Sequence, residues 1–122
     1  MSRILVIDDD LDILSVMEIL LSMKGFNVEV TAKGENTFPK IESFKPDLIL
    51  LDVLISGYDG RVICKQLKAN LETRHIPVIM FSAHPGAAAT IADYGADDFI
   101  SKPFDVKNLL KKVNEQLKLS SN

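Results

Sequence analysis

Five short apolar runs, at residues 4–7, 26–30, 48–51, 76–81 and 99–100, recur about every twenty residues along the chain. Each is too short for a helix, and several are rich in Val and Ile, as strands are. Between them the apolar residues change to helical spacing. Ile13, Leu14, Met17, Leu20 and Leu21 form one stripe, closed by Gly25; Ile63, Cys64, Leu67 and Leu71 form a second. Ala88, Ile91, Ala92 and Gly95 form a weak third, and Val106, Leu109, Leu110, Val113 and Leu117 a strong fourth, with Asp105 placed to cap it. Phe38, Ile41 and Phe44 add a helix provided that Pro39 lies in its first turn. Such alternation predicts an α/β fold: a single five-stranded parallel sheet with helices on both faces.

The runs also carry a strand order. The first, third and fourth are continuous hydrophobic blocks, the mark of strands buried on both faces. The second alternates, and the fifth is short and flanked by Asp97, Asp98 and Ser101. Three central strands and two edges fit the flavodoxin-like order 2-1-3-4-5. At 122 residues the chain is expected to be one domain over residues 1–119, with a frayed tail at 120–122. Fourteen basic against seventeen acidic residues give a net charge of −3, which argues against nucleic acid as a direct ligand. The single cysteine, Cys64, excludes an internal disulfide and fits a core thiol in a reducing compartment. No apolar run approaches the roughly 20 residues of a membrane span. No signal peptide precedes the first strand, so a soluble cytoplasmic chain is expected.

In an open parallel sheet, ligands bind beyond the carboxyl ends of the strands, where the strand order reverses. Strand one ends in Asp8-Asp9 and strand three in Asp52, so the predicted topology brings three carboxylates into one crevice. Strand four ends in Ser82, and strand five in Ser101-Lys102-Pro103. Crowded carboxylates repel unless one is protonated or a cation is present. Oxygen-only donors suit a hard cation such as Mg²⁺ (or Mn²⁺). Carboxylates, one lysine and one hydroxyl form a set that handles phosphoryl groups.

These residues resemble the receiver domains of two-component response regulators. The match runs in order along essentially the whole chain: Leu5-Val6-Ile7-Asp8-Asp9; Leu51-Asp52 with Asp59-Gly60 downstream; Phe81-Ser82-Ala83; and Gly95-Ala96-Asp97-Asp98-Phe99-Ile100-Ser101-Lys102-Pro103-Phe104. The resemblance implies that Asp52 accepts a phosphoryl group from a sensor histidine kinase or a His-containing phosphotransfer protein. It implies that Asp8 and Asp9 hold the metal together with Asp52 and the backbone carbonyl of Leu54, that Lys102 pairs with the phosphoryl group, and that Ser82 and Phe99 switch. It implies a cis Lys102–Pro103 bond, and a signalling surface over the fourth helix, fifth strand and fifth helix. Output then passes to a separate downstream protein or a fused output domain.

The chain departs from the family pattern in places. Ile55-Ser56 stands where Met-Pro is common, which leaves the stiffness of that loop open, and Ser82 stands where threonine is common. The stretch from Ser82 to Lys102 is short, with Pro85-Gly86 at its start, so a short fourth helix is expected. That helix is mostly alanine, a face that could pack against a second copy of the chain as a homodimer. Leu54 and His84 are placed at the mouth of the crevice; apolar Leu54 orients no water, so slow loss of the phosphoryl group is expected. Asp10 and Asp12 read as helix-start charges, Asp59 as a helix cap and His75 as exposed. Three other functions remain open: a haloacid-dehalogenase-type phosphatase using Asp8 and Asp10, a flavodoxin-like cofactor binder, and an interaction module that never takes phosphate.

Overall fold

A computed structural model of the chain describes residues 2–84 and 86–120, with the side chain of Ser120 set aside. Met1, Pro85, Ser121 and Asn122 lie outside the described residues, and with them the end of the expected frayed tail. The elements in order are β1 (Arg3–Ile7), α1 (Leu11–Met23), β2 (Asn27–Thr31), α2 (Thr37–Phe44), β3 (Leu48–Asp52), β4 (Leu54–Ile55), β5 (Tyr58–Asp59), α3 (Gly60–Ala69), β6 (Val78–Ser82), β7 (Asp98–Ser101) and α4 (Val106–Ser120). The expected domain end at residue 119 therefore falls inside α4.

One five-stranded parallel sheet runs β2-β1-β3-β6-β7. The expected fourth and fifth strands are thus β6 and β7, because a hairpin the sequence reading did not place, β4 with β5, comes between. Strand alternation sends successive side chains to opposite faces. Ile4, Val6, Leu48, Leu50, Ile79 and Phe81 face α1 and α4; Leu5, Ile7, Ile49, Leu51, Val78 and Met80 face α2 and α3. With both faces covered, the central strands must be apolar throughout, which explains their unbroken runs. The fourth run begins later than its apolar residues suggest, because Pro77 has no N–H to give a ladder.

Pro39 does lie in the first turn of α2, so the helix forms. Two other helical expectations change. Leu71 is not on α3: the helix ends at Ala69, and Asn70 takes the N–H of Glu72 on its side chain and that of Thr73 on its carbonyl, turning the chain and leaving Leu71 exposed. The alanine-rich segment forms no α-helix. It forms two 3₁₀ turns, Ala87–Ala89 and Ile91–Tyr94, with i to i+3 bonds from Thr90 to Ala87 and from Asp93 to Thr90. Only Ala87 and Ile91 of this segment reach the core, too little apolar surface to hold a full helix. The helical face expected to receive a second copy of the chain is therefore not formed.

The hairpin turns at Ser56-Gly57, where Gly57 takes φ +77°, the sign a type II turn needs at its second central residue. Gly60 is constrained differently. A Cβ there would collide with the carbonyl oxygen of Asp52, while the Gly60 N–H donates to the carbonyl of Val53 at 2.6 Å. Gly57→Ala meets open space and should lose only about 1 kcal/mol for its backbone conformation. Gly60→Ala must displace backbone and should lose roughly 1–3 kcal/mol or more. Urea denaturation of the two variants checks the order; equal losses would contradict the close approach.

Candidate functional site

Because the sheet is parallel, every strand delivers its carboxyl end to the same edge. The strand order reverses between β1 and β3, since β2 lies on one side of β1 and β3 on the other. Asp8, directly after β1, is fully buried; Asp52, the last residue of β3, is 6% exposed; and Ser82, the last of β6, is 6% exposed. Asp9 is exposed. Carboxylate oxygens of Asp8, Asp9 and Asp52 lie within 4.8 Å of one another. The structure thus brings Asp52 together with two acids that precede it by more than forty positions.

Lys102 follows β7 and reaches across the sheet edge. Its Nζ donates to Asp8 Oδ2 at 2.8 Å and to Asp52 Oδ2 at 3.1 Å, and stands 4.9 Å from the centre of the Phe81 ring. The Lys102–Pro103 bond is cis, and the Lys102 N–H donates to the Ser82 carbonyl at 2.9 Å. Burial alone would lower the Lys102 ammonium pKa; hydrogen bonds and charge from Asp8 and Asp52 outweigh it and leave it raised. Asp52 is pushed up from 3.8 to about 6, first by burial and then by the charge of Asp8 and a hydrogen bond to it, with Lys102 only partly offsetting them.

The remaining predicted residues surround this centre. Asp9 Oδ2 accepts the Ser56 N–H at 3.0 Å, tying β1 to the turn of the hairpin. Asp52 Oδ1 accepts the Leu54 N–H at 3.4 Å, so the backbone of Leu54 adjoins the acid while its side chain is 67% exposed. Ser82 Oγ accepts the His84 N–H at 2.9 Å, and His84 itself is exposed. Phe99 is half-buried against the α2–α3 side of the core. Asp10 caps α1 by accepting the N–H groups of Asp12 and Ile13, Asp59 caps α3, and Asp105 accepts the Lys107 N–H at the start of α4. His75 is exposed and Cys64 buried, its thiol pushed up to about 11 by burial, which makes it a poor nucleophile or ligand. Sequence reasoning missed three parts: the ring of Phe81 beneath Lys102, the Ser56 N–H on Asp9, and the contact of Gly60 with the Asp52 backbone. Phe81 had been legible only as a core residue, and the other two depend on a hairpin too short to leave an apolar pattern.

The family model for the response regulator receiver domain matches residues 4–114. The chain belongs to this family. This receiver domain is 38% identical over 120 residues to the DNA-binding dual master transcriptional regulator RpaA of a Synechocystis strain, covering 97% of the chain and 50% of that relative. It is 33% identical over 118 residues to the DNA-binding response regulator MtrA of Mycobacterium tuberculosis, covering 95% of the chain and 50% of the relative. The chain thus spans about half the length of these curated relatives. A crystal structure of a putative response regulator from Chloroflexus aurantiacus superposes with TM-score 0.91 at 29% identity, covering 96% of this chain and 98% of that one. A CheY-like receiver domain protein from Methanospirillum hungatei gives TM-score 0.91 at 27% identity, covering 99% and 97%. Because RpaA and MtrA are named as DNA-binding, the expectation of no direct nucleic acid is confined to these 122 residues. Among the described residues, no helix is long and apolar enough to cross a membrane.

The raised pKa of Asp52 has a measurable sign. Without metal, the folded receiver holds a proton on Asp52 that the unfolded chain has lost between about pH 4 and 6. Stability from this group is therefore present at low pH and falls as pH rises through that window. Carboxyl ¹³C titration in metal-free buffer should place Asp52 near 6, and added Mg²⁺ should lower it. A midpoint at the ordinary carboxylate value would contradict the burial and the Asp8 charge as its causes.

Proposed function

We propose that this receiver, on its flavodoxin-like sheet, is a phosphoacceptor whose nucleophile is Asp52. The observation that supports this most is the Lys102 ammonium held between Asp8 and Asp52 at 2.8 and 3.1 Å in a crevice of three carboxylates. In the reaction, a carboxylate oxygen of Asp52 bonds to phosphorus as the phosphorus–nitrogen bond of a phosphohistidine breaks. The imidazole leaves with the bonding electrons and takes up a proton. The donor is a sensor histidine kinase or a His-containing phosphotransfer protein. Lys102 transfers its attention from the free carboxylate to the phosphoryl oxygens, keeping their charge compensated. Ser82 donates a hydrogen bond from its hydroxyl to a phosphoryl oxygen, and the half-buried ring of Phe99 follows the space that Ser82 vacates.

The oxygen-only set of Asp8, Asp9 and Asp52, completed by the Leu54 carbonyl, fits Mg²⁺ or Mn²⁺. Such a cation supplies neutralisation of the transferring phosphoryl group. It also answers the repulsion between Asp8 and Asp52 that Lys102 leaves partly uncompensated. The chain acts once on itself rather than turning over a substrate. The phosphatase alternative is not favoured: Asp10, which would serve as its acid, spends its carboxylate on capping α1. A phosphate-bearing cofactor is disfavoured by the acids at the same strand end. We place the reaction in the cytoplasm, with output through a separate protein or a fused domain, and no nucleic acid bound by the receiver itself.

Incubation with Mg²⁺ and acetyl phosphate should add a single phosphoryl mass, absent in Asp52→Asn and abolished by chelation of the metal. Labelling that survives Asp52→Asn would refute the assignment. The exposed side chain of Leu54 offers no hydrogen bond to an attacking water, and His84 stands on the neighbouring loop. The phosphoryl group should therefore persist well beyond seconds, and Leu54→Asn should shorten its life. Phosphate release followed on isolated labelled protein decides this, and loss within seconds from the parent chain would contradict it.

A further inference from the structure

Beyond the packing of Ala87 and Ile91 in the core, a polar side chain of α3 reaches the two 3₁₀ turns. Arg61, the second residue of α3, uses its guanidinium in three directions. Its Nε and Nη2 donate to Asp59 Oδ1 and Oδ2 at 3.1 and 2.9 Å. Its Nη1 donates to Thr90 Oγ1 at 3.3 Å, and its Cζ stands 5.5 Å from the centre of the Tyr94 ring. Thr90 is the residue between the two turns, and Tyr94 ends the second. The bond from Arg61 holds the Asp59 carboxyl below its ordinary range. An exposed ion pair alone contributes little. A planar fork fixed on one edge by a carboxylate and laid on a ring is instead a directed contact, which lysine does not reproduce.

The two ends of this contact differ in rigidity. Arg61 is fixed to the site, because Gly60 packs against the Asp52 carbonyl and donates to Val53. The far end rests on single i to i+3 bonds, which are weaker than α-helical ones. Those bonds form an unbroken series leading out from the site. Ser82 Oγ accepts the His84 N–H at 2.9 Å; the His84 carbonyl accepts the Ala87 N–H at 3.2 Å; the Ala87 carbonyl accepts both the N–H and the Oγ1 of Thr90 at 3.1 Å. Thr90 is where Arg61 holds the segment.

We propose that Arg61 latches residues 86–95 in their 3₁₀ form while Asp52 is free, and that loading Asp52 releases the latch through Ser82. The proposal rests on the reading of Asp52 as the phosphoacceptor. When the Ser82 side chain rotates to carry its hydroxyl to a phosphoryl oxygen, Oγ moves off the His84 N–H. The first turn then loses its anchor, and Thr90 withdraws from the guanidinium. A contact made only in the unloaded state opposes loading by its own free energy, so removing it must favour loading.

The test uses the 122-residue chain with Mg²⁺ and beryllofluoride as the phosphoryl mimic. Its affinity is measured by calorimetry, and amide hydrogen exchange is measured without it. In Arg61→Ala and in Tyr94→Leu, the Ala87, Thr90 and Asp93 amides should exchange about tenfold faster. Beryllofluoride should bind about fivefold more tightly, at the low end of ordinary coupling. Arg61→Lys should behave like Arg61→Ala. Unchanged exchange, unchanged or weaker binding, or faster exchange spread evenly over the fold would each overturn the latch, the last because it marks a merely structural loss. Failure of the parent chain to bind beryllofluoride at Asp52 would instead overturn the phosphoacceptor reading, and the latch with it.

Discussion

The ammonium of Lys102 between Asp8 and Asp52 is the contact on which the site depends. Two carboxylates this close and this buried repel each other, as the upward shift of Asp52 records. Taking away one partner of such a buried group costs about 3–5 kcal/mol when the other charge is left unpaired. The chain therefore has to deliver a cation to the same sheet edge from a residue 94 positions after Asp8. A five-stranded parallel sheet does this without further device, because each strand ends at that edge. The Lys102 N–H on the Ser82 carbonyl fixes the lysine backbone to the neighbouring strand, and its ammonium stands over the Phe81 ring.

Strand alternation then decides where a change at the site can be felt. One set of β residues packs on α1 and α4, the other on α2, α3 and the 3₁₀ turns. Phe99, Ala87 and Ile91 belong to the second set, which is also the side on which Gly60 meets the Asp52 backbone. The α1–α4 side is closed by two long helices with deep apolar stripes, including Met17, Leu21, Leu109 and Val113, all fully buried. The opposite side carries the shorter helices, α2 and α3, and the two 3₁₀ turns. Local opening is easiest where short hydrogen-bonded turns hold the backbone, which on that side is the 3₁₀ segment.

Much of this was legible in the residues. The unbroken apolar runs at β1, β3 and β6 reported their burial on both faces, and the acids at the ends of β1 and β3 reported the crevice, because hydrophobic period and strand polarity act locally. The hairpin was not legible, since Leu54-Ile55 and Tyr58-Asp59 are each too short to show a period, and its register is set by Gly57 and by the Asp9 bond to Ser56. Leu71 kept helical spacing in the sequence but lost its helix to Asn70, a competition between side-chain and helical hydrogen bonds that spacing does not reveal. The alanine-rich segment was read as a helix from the spacing of Ala88, Ile91, Ala92 and Gly95, a weak stripe that alanine's helix propensity only seconds. Propensity is a weak determinant where burial is small, and here only two side chains reach the core.

That last difference bears on function. A full helix at residues 86–95 would be a rigid body, able to respond to the site only by moving as a whole. Two 3₁₀ turns meeting at Thr90 can respond at the seam, one turn at a time, with the bond from His84 to Ala87 as the first step. The chain thereby trades the stability of a helix for a segment seated by Ala87 and Ile91 and held by a few directed contacts: Ser82 through His84 at its start, and Arg61 on Thr90 and Tyr94. Contacts of that kind have two alternatives rather than a continuum, because the Ser82 side chain sits in one rotamer or another and its Oγ meets the His84 N–H in only one of them. A local exchange of one hydrogen-bond partner can in this way become a change in surface shape some distance from Asp52.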